Sequence, residues 1–93
     1  MGDIFSSERP ISEVVRENQR LLRRSIRELD REVNTMRKNE GKLVAEIRQA
    51  ASRGQQKSAR ILAKDLVRNR QYQEKFLQLK AHLTGVSLKL QVC

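Results

Sequence analysis

Apolar side chains return along the first half of the chain at alternating steps of four and three. The series is Leu22, Ile26, Leu29, Val33, Met36, then Glu40, then Leu43, Ile47 and Ala50, with Val15 one heptad before Leu22. This is an a/d seam, the signature of a helix packed along its length on another helix. Asn39-Glu40-Gly41 interrupts it, and an interior glycine costs a helix about 1 kcal/mol. The seam nevertheless resumes in phase, whereas a turn would reset it. The pattern therefore predicts one continuous helix with a weak point at Gly41.

The ends of this helix are signalled locally. Pro10 suits a first turn, where its missing N–H costs nothing, and Ser12 followed by Glu13 is an equally good capping signal. Gly54 suits the left-handed position that closes a helix. A second seam follows through Ala59, Leu62, Leu66, Asn69, Gln73, Phe76, Leu79, Leu83, Val86 and Leu90. Val86, Leu88, Leu90 and Val92 also alternate with the period of a strand, but the seam arrives there in phase and favours helix.

The expectation is an all-α, coiled-coil-like antiparallel hairpin, extended rather than globular. Its helices cover about residues 11–52 and 56–91, roughly 60 and 50 Å at 1.5 Å per residue. The packing residues are Leu22, Ile26, Leu29, Val33, Met36, Leu43 and Ile47 against Ala59, Leu62, Leu66, Phe76, Leu79 and Leu83. Folding at 52–55 sets residue 40 roughly opposite 67, and 36 opposite 71. The polar slots Glu40, Asn69 and Gln73 then share one zone, with Tyr72 covering them. That zone reads either as hydrated middle turns or as a soft spot where the hairpin bends or accepts a partner. Each helix buries only one stripe, so the hairpin needs further helices or copies of itself.

Charge changes the picture next. The 93 residues hold 20 Lys+Arg against 11 Asp+Glu, a formal charge of +9. This asks for an anionic partner: acidic lipid, nucleic acid or an acidic protein segment. Arg16, Arg20, Arg23, Arg24, Arg27 and Arg31 fall on the side of the first helix away from its seam. Lys57, Arg60, Lys64, Arg68 and Lys75 form a similar row on the second. Glu13, Glu17 and Glu28 each precede an arginine by three residues, which relieves part of the repulsion. A single such row is ordinarily a solvated face. Two rows, with eight basic and two acidic residues over 55–93, make acidic-lipid binding an equal contender. Near an anionic membrane each cation contributes about 1 kcal/mol.

Ile4 and Phe5 interrupt an otherwise polar start. They could insert into lipid, each contributing about 1.5–3 kcal/mol if fully buried, or staple the helix start. The opening Met1-Gly2-Asp3-Ile4-Phe5-Ser6 loosely matches a myristoylation pattern, with Asp3 against it. No run of 18 apolar residues offers a membrane span. A lone cysteine, Cys93, excludes an intrachain disulfide and fits a reducing, cytoplasmic setting.

Catalysis finds no support. His82 is the single histidine, beside a seam position. The carboxylates are scattered among arginines, and neither a phosphate loop nor metal-ligand spacing occurs. No cofactor or metal is expected. Nucleic acid is the first rival partner. A zipper protein, however, separates its basic region from its heptads, whereas here both share the same helical length. No aromatic platform for single strands exists either. A plain basic coiled-coil adaptor is the second rival.

Several runs go further. Arg16-Glu17-Asn18-Gln19-Arg20, Arg27-Glu28-Leu29-Asp30-Arg31-Glu32, Ala63-Lys64-Asp65-Leu66-Val67-Arg68 and Val86-Ser87-Leu88-Lys89-Leu90-Gln91 occur in that order. With them the chain resembles the amino-terminal half of ESCRT-III subunits, the charged multivesicular body proteins, most closely the vacuolar protein sorting-associated protein two branch. The resemblance implies a helical hairpin over 10–93, preceded by a membrane-insertion segment over 1–9 containing Ile4 and Phe5. It implies homo- or hetero-polymers with other ESCRT-III subunits on acidic membranes, contacts between the basic rows and acidic lipid, and a peripheral place on endosomal membranes. There such polymers serve multivesicular body sorting, vacuolar transport and scission. The family continues well beyond residue 93. On that reading the chain is truncated, and the AAA-type disassembly ATPase would reach it only through neighbouring subunits.

Overall fold

A computed structural model describes residues 9–92. They form two helices, α1 (Ile11–Ser52) and α2 (Gln56–Val92), packed on each other along their lengths. The antiparallel, all-α hairpin expected from the two seams is the observed architecture. At 1.5 Å per residue α1 is about 63 Å long and α2 about 56 Å.

Pro10 starts α1. Its φ of −54° and ψ of 144° are extended, and its carbonyl accepts the N–H groups of Glu13 and Val14 at 3.0 and 3.2 Å. No side chain caps this end. Ser12, the alternative cap, lies inside the first turn. Arg9 reaches across it to pair with Glu17. At the far end Gly54 adopts φ +73°. Its N–H bonds the carbonyl of Ala51 at 3.1 Å, and the N–H of Gln55 bonds that of Ala50 at 2.9 Å. These two crossed bonds are a Schellman motif, which satisfies carbonyls the helix end would otherwise leave bare. The chain reverses within three residues, and α1 runs through Gly41 without a break.

The seam of α1 is a strict heptad. Residues 15, 22, 29, 36, 43 and 50, interleaved with 19, 26, 33, 40 and 47, are all buried or half-buried. Val33 at 2% exposure and Ala50 at 6% are the most enclosed apolar residues described. The α2 seam is equally strict, through 59, 66, 73, 80 and 87 with 62, 69, 76, 83 and 90. This corrects the expected seam at two places. Leu79 is 45% exposed and Lys80 takes its slot, while Ser87, only 7% exposed, displaces Val86 as the enclosed residue of its turn. The seven-residue repeat set at Ala59 lands on polar residues there, and the apolar neighbours fall one step aside.

Side chains bridge the two helices at three places. Glu40 meets Arg70 and Gln73, Met36 meets Asn69, and Asp30 meets Lys80. Long side chains reach these partners from either side of the expected register, in which residue 40 lies roughly opposite 67 and 36 roughly opposite 71.

Candidate functional site

The eleven cations of the two rows, from Arg16 to Arg31 on α1 and from Lys57 to Lys75 on α2, are all exposed. Their positions follow from the heptads. With the seam facing the other helix, off-seam positions must face outward. Among the described residues only Arg68 of the eleven forms an ion pair, with Asp65 at 3.8 Å. The relief expected from Glu13, Glu17 and Glu28 through their i+3 arginines is not formed, and Glu17 turns back to Arg9 instead. The rows are thus largely uncompensated charge.

The hairpin does not set the two rows side by side. Residues 16–31 of α1 lie beside the last turns of α2, as the Asp30–Lys80 pair at 2.5 Å marks. The α2 row begins next to the turn and reaches the middle. The cations therefore occupy successive stretches of the long axis. Arg37, Lys38, Lys42 and Arg48 on α1 are also exposed and run beside the α2 row. Sequence reading passed over them because they do not form a single uninterrupted row.

Apolar side chains stand among these charges. Val67 is 54% exposed, and with Ala63 it lines a shallow depression edged by Arg60, Lys64 and Arg68. Ile61, 61% exposed, lies within a turn of Lys57 and Lys64. Apolar groups ringed by long cationic side chains suit the boundary between headgroups and acyl chains, where stems bury and charges stay wet. Further along α2, Leu77, Ala81 and Leu88 line a second shallow depression with Lys80, Thr84 and Gly85. Between the helices Leu29, Phe76, Leu79 and Leu83 form a groove bordered by Glu28, Glu32 and Arg31.

A polar layer crosses the middle of the interface. The Glu40 carboxylate accepts from Gln73 Nε2 at 2.7 Å and from Arg70 Nε at 3.0 Å. Gln73 Nε2 also lies 2.5 Å from Asn69 Oδ1, and Asn69 Nδ2 donates to the Met36 carbonyl at 3.0 Å. The hydrogen bond from Gln73, then that from Arg70, hold the Glu40 carboxyl below the usual carboxylate range, against an opposing effect of burial. The polar slots do share one zone, as the seams imply. Tyr72 does not cover them: it is 52% exposed and carries Lys75 Nζ 5.8 Å from its ring centroid.

Ile4 and Phe5 lie outside the described residues, as does the possible myristoylation site. No described helix is long and apolar enough to cross a membrane. Among the described residues no group of three His, Cys, Asp or Glu side chains could hold a metal ion.

Comparison with known proteins agrees with the hairpin. The Snf7 family model matches residues 17–93. The chain belongs to the Snf7 family. It is 42% identical over 91 residues to charged multivesicular body protein 2a of Danio rerio, covering 98% of this chain and 41% of that protein. It is 44% identical over 91 residues to vacuolar protein sorting-associated protein 2 homolog 1 of Arabidopsis thaliana, covering 98% and 40%. Charged multivesicular body protein 2a homolog 2 of Dictyostelium discoideum is 44% identical over 88 residues, covering 95% and 44%. The chain thus spans about two fifths of the length of these relatives. The Snf7 match includes all of the α1 seam except Val15, the turn, both basic stretches except Arg16, and all of α2.

Proposed function

We propose that this Snf7-family hairpin is the membrane-facing, polymer-forming part of an ESCRT-III-type subunit. On this reading it works peripherally on endosomal membranes, from the cytoplasm, in multivesicular body sorting and vacuolar transport. It acts by assembly and surface binding, with copies of itself and other ESCRT-III subunits as partners and acidic lipid as its surface. Constriction and scission of membrane necks would be the work of the assembled polymer.

The observation that carries the reading is the set of eleven exposed cations, ten of them without an ion-pair partner among the described residues. Five cations on α2 at about 1 kcal/mol each would suffice for reversible binding to an anionic bilayer. Val67 and Ile61 add apolar contact within that row. Ile4 and Phe5 would deepen insertion.

The test is co-sedimentation with phosphatidylserine liposomes and with neutral liposomes, beside a duplex-DNA shift assay at matched salt. Binding to the acidic liposomes alone supports the reading, and binding to DNA but to neither liposome overturns it. Charge reversal of Lys57, Arg60, Lys64 and Arg68 should weaken liposome binding at least tenfold with helicity unchanged. Replacing Ile4 and Phe5 by serine should lower retention on lipid more than it lowers helicity.

A further inference from the structure

The α1 seam is capable of more than the hairpin asks of it. Of its eleven positions, Gln19 and Glu40 alone are polar. The α2 seam is weaker, with Asn69, Gln73, Lys80 and Ser87 among its ten positions. By apolar content α1 is therefore a better partner for a second α1 than α2 is. In a parallel, in-register α1 pair one flanking charge pair would also form, because Glu32 would face Arg37 of the other copy across the g and e positions. A competing pairing of this strength calls for a device against it.

Glu40 is placed to be that device. In the hairpin each oxygen of its carboxylate has a donor, Gln73 at 2.7 Å and Arg70 at 3.0 Å. Both partners belong to α2. Asn69, also on α2, completes the layer through the Met36 carbonyl at 3.0 Å. In a parallel α1 pair Glu40 would face its own copy: two carboxylates at one seam position, without the α2 donors. Like charges so placed repel, and a partly buried charge without a partner is costly.

We propose that the Glu40–Asn69–Gln73 layer, with Arg70 at its edge, is a pairing-specificity device that restricts α1 to antiparallel packing on α2 and excludes self-pairing of α1. The residue that discriminates is Glu40. Asn69, Gln73 and Arg70 make it tolerable in the one arrangement that is kept. This inference concerns the inside of the hairpin and is independent of what the outer faces bind.

The test uses the full chain without lipid at low micromolar concentration, with Cys93→Ser and Ala50→Cys. Ala50 lies in the α1 seam at 6% exposure. Two such cysteines meet only when two α1 helices pair in parallel, and contacts between outer faces do not bring them together. Disulfide dimer is measured at equilibrium in a glutathione buffer. With Glu40 present, dimer should be scarce. Glu40→Leu should raise the dimerisation constant at least tenfold with helix content maintained. Glu40→Gln, which keeps the size and removes the charge, should raise it by a smaller factor and serves as the readout should the leucine variant precipitate. Asn69→Ala with Gln73→Ala should loosen the hairpin without raising dimer. Equal dimer with and without the Glu40 carboxylate overturns the proposal. So does a rise in the Asn69/Gln73 variant as large as in Glu40→Leu, because any weakening of the hairpin would then release α1.

Discussion

At the residue scale, enclosure is scarce and so its contributions are concentrated. Val33, at 2% exposure, is the most enclosed apolar side chain described, whereas Ile61 is 61% exposed. Val33→Ala removes two buried carbons and leaves a void, which should cost about 2 kcal/mol. Ile61→Ala should change stability by about 0.5 kcal/mol or less. Thermal unfolding followed by circular dichroism separates the two, and equal losses would mean that the seam is not the core. Glu40 adds a pH term. Its carboxyl is held below the usual range by Gln73 and Arg70. A group depressed in the folded state contributes stability that is present above its unfolded pKa, about 4.3, and is lost as pH falls through its folded pKa. The unfolding midpoint should therefore drop on acidification from pH 5 toward pH 3. That drop should be smaller in Glu40→Gln, the difference between the two chains being the measure of the layer.

At the scale of the elements, two glycines make opposite predictions. Gly54 sits at φ +73°, and although nothing lies within 4 Å of an added Cβ, the left-handed backbone penalises any L side chain. Gly54→Ala should destabilise the hairpin by about 1–2 kcal/mol. Gly41 is helical, with open space at its Cβ. Gly41→Ala should stabilise it by about 0.5–1 kcal/mol. Denaturant midpoints of the two variants should move in opposite directions. These positions also show what the sequence made legible. Gly54 and the in-phase seam across Gly41 each follow from local rules, so the number and extent of the helices could be read directly. The α2 seam could be followed only while apolar residues occupied it. At Lys80 the geometry of the repeat outweighs hydropathy, because a helix tied at Ala59 and Leu62 cannot rotate to bury Leu79. Tyr72, exposed beside Lys75, looks in one dimension like a cover for its polar neighbours. The basic rows were visible from spacing. Their arrangement along the axis was not, because it depends on where the chain turns and which residues then meet.

At the scale of the whole molecule, that arrangement decides how the rod would lie on a charged surface. The α1 row covers residues 16–31, beside the end of α2, and the α2 row begins at the turn. A hairpin lying with both stretches turned toward the surface uses both, and each contributes its own roughly 1 kcal/mol per cation, screened beyond about 8 Å at physiological salt. A hairpin standing on one end uses a single stretch. Neutralising Arg16, Arg20, Arg23, Arg24, Arg27 and Arg31 to glutamine, or Lys57, Arg60, Lys64, Arg68 and Lys75 to glutamine, should each give a partial loss of binding to phosphatidylserine liposomes. Neutralising both rows should bring binding to the level seen with neutral liposomes. The salt dependence should soften in each single-row variant, because fewer cations then face the surface. Complete loss from one row and none from the other would instead mean that one row alone meets the surface, with the silent row left as a solvated face.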